Sequence, residues 1–197
     1  MKKFNAADIY RTRYDDPLFV IDKWLHVGMT LLSGSPKLGN SFLALQKALA
    51  VEEGGLLFNQ FQATPGRMLY LDFENGLSRI HRRLHQMSVG QQALNQIDFV
   101  TEFPNDAQFG EGAEHLLSAA LEQQRYSLVI LDTLRKCQPA APRGDFVKFQ
   151  YEQSRLLSKL SEKHAVAILG ITHNRKQHSE SGVEMVSGSS GFGALQN

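Results

Sequence analysis

MTLLSGSPKLGNSFLAL, residues 29–45, sets an apolar, strand-like run (Met29 to Leu32) ahead of a glycine-bearing turn, Gly34 to Ser41. A helix-patterned segment, Phe42 to Val51, follows at once. Strand, loop and helix in this order match the phosphate-binding pattern G-x-x-x-x-G-K-[ST], except that Asn40 stands where the pattern has lysine. Gly34 and Gly39 can take positive φ without a Cβ penalty, so backbone N–H groups can converge on an anion. The helix start adds partial positive charge. Ser41 sits where a hydroxyl would meet Mg²⁺ beside the β- and γ-phosphates. None of this requires lysine at position 40, so anion binding is expected to survive. A catalytic charge is missing, and a lost donor of this kind typically lowers the rate by roughly 10²–10³. Lys37, three residues upstream, is the available partial substitute. An ordinary turn capping a core helix has the same local ingredients; the strand before it and the helix behind it favour the nucleotide site.

The rest of the chain repeats the alternation. Strands are expected at Arg67–Phe73, Ile97–Thr101, Ser127–Leu131 and Ala165–Ile171, and helices at Gly76–Met87, Glu111–Gln124 and Asp145–His164. The strands are almost continuously apolar, as in a parallel sheet covered on both faces by helices. Leu56–Gly66 and Cys137–Gly144 read as loops, the second exposed, and 177–197 is Gly/Ser-rich. Within Pro17–Val27, Trp24 is expected as a packed core aromatic anchoring the segment to the domain edge. Residues 1–24 form an arm or edge segment and 25–197 one α/β domain. At 197 residues, with 42% hydrophobic and 21% charged residues, the chain has the makings of a single core. A net charge of +1 points neither toward nor away from nucleic acid. One cysteine, Cys137, permits no internal disulfide and suits a reducing cytoplasm. No run reaches transmembrane length and MKKFNAADIYRTRY has no apolar signal core, so a cytoplasmic protein without a membrane partner is expected.

In parallel sheets, ligands bind beyond the carboxyl ends of the strands. Four such ends carry suitable residues: Gly34–Ser41, Asp72–Asn75, Asp132–Thr133 and Thr172–Lys176. Asp132, closing SLVIL, suits a carboxylate that holds Mg²⁺ directly or through water; a helix cap is its plainer role. Glu74 suits a base for an attacking water, or else a surface acid at a helix start. His173 could report on the γ-phosphate or simply bond to backbone. Arg175 and Lys176 suit phosphate or DNA, or are solvated charge. His81 and His85, four apart on a helix, have chelating spacing, but no third ligand is evident and a solvated face is the expectation.

The succession TLLSGSPKLGNS (30–41), RMLYLDFEN (67–75), SLVILDTLRK (127–136), AVAILGITHNRK (165–176) and SGSSGFGAL (187–195) resembles the RecA-like P-loop ATPases of the hexameric RepA helicase type, found in plasmids, phages and other mobile elements. The likeness covers about Leu25 to Leu195. It implies a three-layer RecA-like P-loop NTPase fold with a mostly parallel central sheet, and ATP and Mg²⁺ as ligands. By position it implies that nucleotide meets Gly34, Ser35, Pro36, Lys37, Leu38, Gly39, Asn40, Ser41, Phe42 and Arg175. Ser41 and Asp132 would serve the metal, with Glu74 the catalytic glutamate and His173 the sensor. Ser187–Gly191 would belong to a loop facing single-stranded DNA, and a ring-type homo-oligomer or replication proteins would be the partners. Members of this type carry lysine at position 40 and continue through further strands, one with an arginine finger; by that measure the domain is C-terminally short. Two functions therefore stand open: an ATP-binding protein of DNA replication or recombination with weak or absent hydrolysis, and a non-catalytic P-loop protein serving as regulator or DNA-binding adaptor.

Overall fold

The computed structural model describes residues 2–14, 16–35, 37–87, 94–140 and 146–173, the first two of the last stretch by backbone alone. In chain order the elements are α1 (Ala6–Arg11), β1 (Phe19–Ile21), β2 (Leu25–His26), β3 (Gly28–Gly34), α2 (Asn40–Glu53), β4 (Leu56–Leu57), β5 (Phe61–Gln62), β6 (Met68–Asp72) and α3 (Leu77–Gln86). They continue with β7 (Ile97–Val100), α4 (Ala113–Gln123), β8 (Leu128–Asp132), α5 (Phe146–His164) and β9 (Ala167–His173). The expected α/β alternation is therefore present.

Five strands make one all-parallel sheet in the order β3-β9-β8-β6-β7. Successive side chains on each strand point to opposite faces, and the sequence supplies apolar residues for both. Tyr70, Leu128, Ile130 and Leu169 pack with Ala44, Leu45, Ala48 and Val51 of α2. Their neighbours Leu69, Leu71, Val129 and Leu131 pack on the other side with Leu117 and Leu121 of α4 and Leu157 and Leu160 of α5. The result is the three-layer, RecA-like P-loop architecture, with helices on each face of the sheet. Because the strands are parallel, register alone lines up their carboxyl ends: Gly34 opposes His173 and Asp72 opposes Asp132.

Three local expectations change. Leu56–Gly66 is a β4–β5 hairpin rather than a plain loop. Cys137 is not exposed: it ends a short 3₁₀ turn, Leu134–Cys137, with 1% of its surface accessible, and burial pushes its thiol far up. Trp24 is not a core residue. At 39% exposure it sits between β1 and β2, edge-on to Phe58 and tilted against Phe61, and its ring lies 4.2 Å from Lys47 Nζ. The N-terminal helix α1 buries none of its residues. Among the described residues no helix is long and apolar enough to cross a membrane.

Lys47 is the residue that local pattern would not have placed inside. It is 1% exposed on α2, and burial lowers its amine from 10.5 to about 8. Between those two pH values the unfolded chain holds the proton that the fold gives up, so stability on this account rises with pH. Lys47→Met keeps the stem and removes the charge. It is expected to stabilise the fold at pH 7 by at most about 3 kcal/mol, seen as a higher melting temperature. The advantage should shrink between pH 8 and pH 10.5, the window that the shift defines. Thermal melts of both proteins over that range check this; a gain independent of pH would mean that desolvation of the ammonium is not its source.

Candidate nucleotide site

The loop after β3 reaches α2 through Gly39, which caps the helix in the left-handed region at φ 93° and ψ 17°. That conformation strains any residue with a Cβ. No side chain caps the helix, so its first N–H groups face outward without a partner of that kind. Leu38 N–H donates to the Ser35 carbonyl at 3.3 Å, tightening the loop, while Lys37 is exposed at φ 69°. Asn40 folds back over the strand end. A Cβ on Gly34 would stand 2.6 Å from Asn40 Oδ1 and 2.8 Å from Nδ2, so glycine at 34 is a condition for this arrangement. The Asn40 amide nitrogen is buried and has no hydrogen-bond partner among the described residues.

Beside the loop, at the ends of β6 and β8, two carboxylates are buried side by side in register. Asp132 is wholly buried. The Tyr70 hydroxyl donates to its Oδ2 at 2.9 Å and lies 3.4 Å from the Ser41 carbonyl, while Oδ1 has no hydrogen-bond partner among the described residues. Burial raises the Asp132 carboxyl above its ordinary range; the nearby Ser41 hydroxyl opposes this, the neighbouring Asp72 charge adds to it, and Tyr70 and Arg83 oppose it. Asp72 is raised as well, again chiefly by burial. It organises the turn into α3: Oδ1 accepts from the backbone N–H groups of Glu74 (3.2 Å) and Asn75 (2.8 Å), and from the Asn75 amide (2.9 Å). Arg83 approaches Asp72 Oδ2 to 3.9 Å, and Arg79 donates to Asn75 Oδ1 at 2.9 Å.

These pieces enclose one cavity of about 450 Å³. It is walled by Lys37 and Gly39–Phe42 on the loop side, by Glu74, Asn75, Arg79 and Arg83 on the α3 side, and by His173 at the end of β9. His173 Nε2 is 3.8 Å from Glu74 Oε2, and its Nδ1 has no hydrogen-bond partner among the described residues. A smaller cavity of about 280 Å³ backs onto the same two side chains and carries Thr133, Arg135, Lys136 and Thr172. Of the residues singled out in the sequence, Lys37, Gly39, Asn40, Ser41, Phe42, Glu74 and His173 share the larger cavity. Gly34 and Asp132 lie directly behind it. Pro36, Arg175, Lys176 and Ser187–Gly191 fall outside the described residues. His81 and His85 are on the exposed side of α3, their Nε2 atoms 3.0 Å apart.

Asp72 and Asn75 were named from sequence only as the bounds of a polar strand end, and Tyr70, Arg79 and Arg83 received no role. Asp72 and Asn75 at (i, i+3), ending an apolar strand, carry the signal of an Asx-type turn. Nothing local marks Tyr70 as a partner of a residue 62 positions away.

A nucleotide with Mg²⁺ fits this donor set. The loop offers N–H groups and three cationic side chains border the cavity. The Ser41 hydroxyl and Asp132 Oδ1, unpartnered among the described residues, are oxygen donors of the hard type that Mg²⁺ prefers. Among the described residues there is no cluster of three or more His, Cys, Asp or Glu suited to a metal. Mg²⁺ needs none, since it commonly uses one or two carboxylates together with phosphate oxygens.

Two substitutions separate the charge from its hydrogen bond. Asp132→Asn keeps an acceptor for Tyr70 and removes the buried charge. It should raise the melting temperature of the nucleotide-free protein at pH 7–8, by about 2–4 °C per kcal/mol relieved. A raised carboxyl favours the neutral form in the fold, so this gain should fade as pH falls through the Asp132 titration. Tyr70→Phe should do the opposite, losing about 1.5–3 kcal/mol at neutral pH because the acceptor is charged. Melts in which both variants shift the same way at pH 8 would contradict a buried, ionised Asp132.

The profile of a family described as an AAA domain matches residues 6–179. No curated protein matches the chain significantly. With an all-parallel sheet, a glycine-capped loop leading into α2 and a polar cavity over the strand ends, the match spans most of the chain, and the protein belongs to the AAA domain family of P-loop nucleotide-binding proteins.

Proposed function

We propose that the chain is an ATP-binding, RecA-like protein of DNA replication or recombination, akin to the hexameric RepA helicases, in which hydrolysis is weak or absent. The observation that carries this reading is the convergence of the loop, Glu74 and His173 on one cavity, with Asp132 Oδ1 behind it and without a partner among the described residues. In this reading Gly34–Phe42 cradle the phosphates and Ser41 and Asp132 hold Mg²⁺, which when bound offsets phosphate charge. Lys37, Arg79 and Arg83 supply positive charge from the cavity walls, and Arg175 adds a phosphate contact.

The Glu74 carboxylate is the acceptor for the proton of a water attacking the γ-phosphorus. Asp72 supports that role by fixing the backbone on which Glu74 is carried. His173, 3.8 Å from Glu74, responds in this reading when the γ-phosphate leaves. Asn40 can donate a hydrogen bond from its unpartnered amide but brings no charge. Single-stranded DNA on the Ser187–Gly191 side and a ring of copies belong to the same proposal.

Asn40 also favours a second reading, a P-loop protein that binds nucleotide or none and acts as a regulator or DNA-binding adaptor. An ATP titration with Mg²⁺, on this chain and on Asn40→Lys, following binding and phosphate release, separates the two. Binding near the micromolar range by both proteins is expected. Turnover should rise by roughly 10²–10³ in the lysine form, and Glu74→Gln in that background should abolish the gain. Absence of binding by either protein would overturn the ATPase-type reading and leave the adaptor.

A further inference from the structure

Lys47 lines a second cavity, of about 300 Å³, distinct from the nucleotide site. Its walls are Trp24 and Leu25 from the β1–β2 hairpin, Thr30 and Leu32 from β3, and Leu169 from β9, with Lys23 beside Trp24. Three features set it apart from a packing defect. A lysine that is 1% exposed is normally paired with a carboxylate. Here the ammonium has, among the described residues, no hydrogen bond or ion pair, and it lies 4.2 Å from the centre of the Trp24 ring. Among the described residues no Asp or Glu lines the cavity, so two cations border an otherwise apolar and hydroxyl-bearing space. Leucine or methionine at position 47 would fill the same volume without a desolvated charge.

We propose that this cavity binds a small amphiphilic monoanion, its carboxylate on the Lys47 ammonium and its apolar body along Trp24 and the leucines. The volume sets the size: about ten non-hydrogen atoms at about 30 Å³ each. The charge balance sets the valence, because one buried ammonium neutralises one negative charge and Lys23 stands further out in the hairpin turn. Burial has already lowered the Lys47 amine to about 8, so a bound carboxylate restores its proton affinity. The site owes nothing to the nucleotide reading and stands or falls apart from it.

Trp24 is the single tryptophan of the chain and lines this cavity, so its fluorescence responds to what enters it. The probes are octanoate and octanol, which share an apolar body and differ in charge, titrated into the full chain at pH 8. A saturable change with octanoate is expected, with octanol at least tenfold weaker. Lys47→Met should weaken octanoate at least tenfold and leave octanol unchanged, in a protein whose cooperative melt shows it folded. A second measurement needs no variant: octanoate binding at pH 8.5 should take up protons, seen as heats that depend on buffer ionisation enthalpy. Equal binding of the two probes, no saturable change with octanoate, or no proton uptake would overturn the proposal.

Discussion

All five strands of the central sheet run the same way, and the site depends on that single constraint. A parallel ladder brings the carboxyl ends of strands far apart in sequence to one edge, and it does so by hydrogen-bond register. Gly34 meets His173 and Asp72 meets Asp132 in this way. A slip of one residue would turn every core side chain on the slipped strand to the opposite face. Residues such as Ile130 and Leu131, committed to different apolar layers, therefore hold the register, and the register holds the polar residues at the edge.

The charges kept inside this fold are concentrated where the proposed ligands would sit. Asp72 and Asp132 are buried against the desolvation that raises both carboxyls, and Lys47 is buried against the desolvation that lowers its amine. In each case an uncharged residue of similar shape would suit the nucleotide-free fold better. Tyr70, Asn75 and the α3 arginines only partly offset the carboxylates. Among the described residues Asp132 Oδ1 is left without a partner, and the Lys47 ammonium lies against the Trp24 ring. A bound cation at the first and a bound anion at the second are the physical complements of these two buried charges.

Asn40 is more than a missing lysine. Its amide lies over the Cα of Gly34, close enough that any side chain at 34 would displace it. The first and seventh residues of the loop are thus in contact, and the smallness of one permits the placement of the other. The positive charge around the cavity comes instead from Lys37 and from Arg79 and Arg83 of α3, an element that follows β6 rather than the loop.

The sequence by itself determined whatever rests on neighbours along the chain. Strand, loop and helix around Gly34–Ser41, the alternation of apolar strands with helices, and the polar strand ends were all legible, because periodicity and turn chemistry act over a few residues. Of the candidate site, Ser41, Glu74, Asp132 and His173 were legible as strand-end residues of suitable chemistry. Tertiary structure alone decided the pairs that carry the charge balance: Tyr70 with Asp132, Arg83 with Asp72, and Trp24 with Lys47. It also moved Trp24 out of the core and Cys137 into it. A helix position such as 47 has no local mark of burial, since whether a lysine faces water or a hairpin depends on where a distant segment docks. That docking follows from filling the space above a sheet, which short-range sequence pattern does not encode.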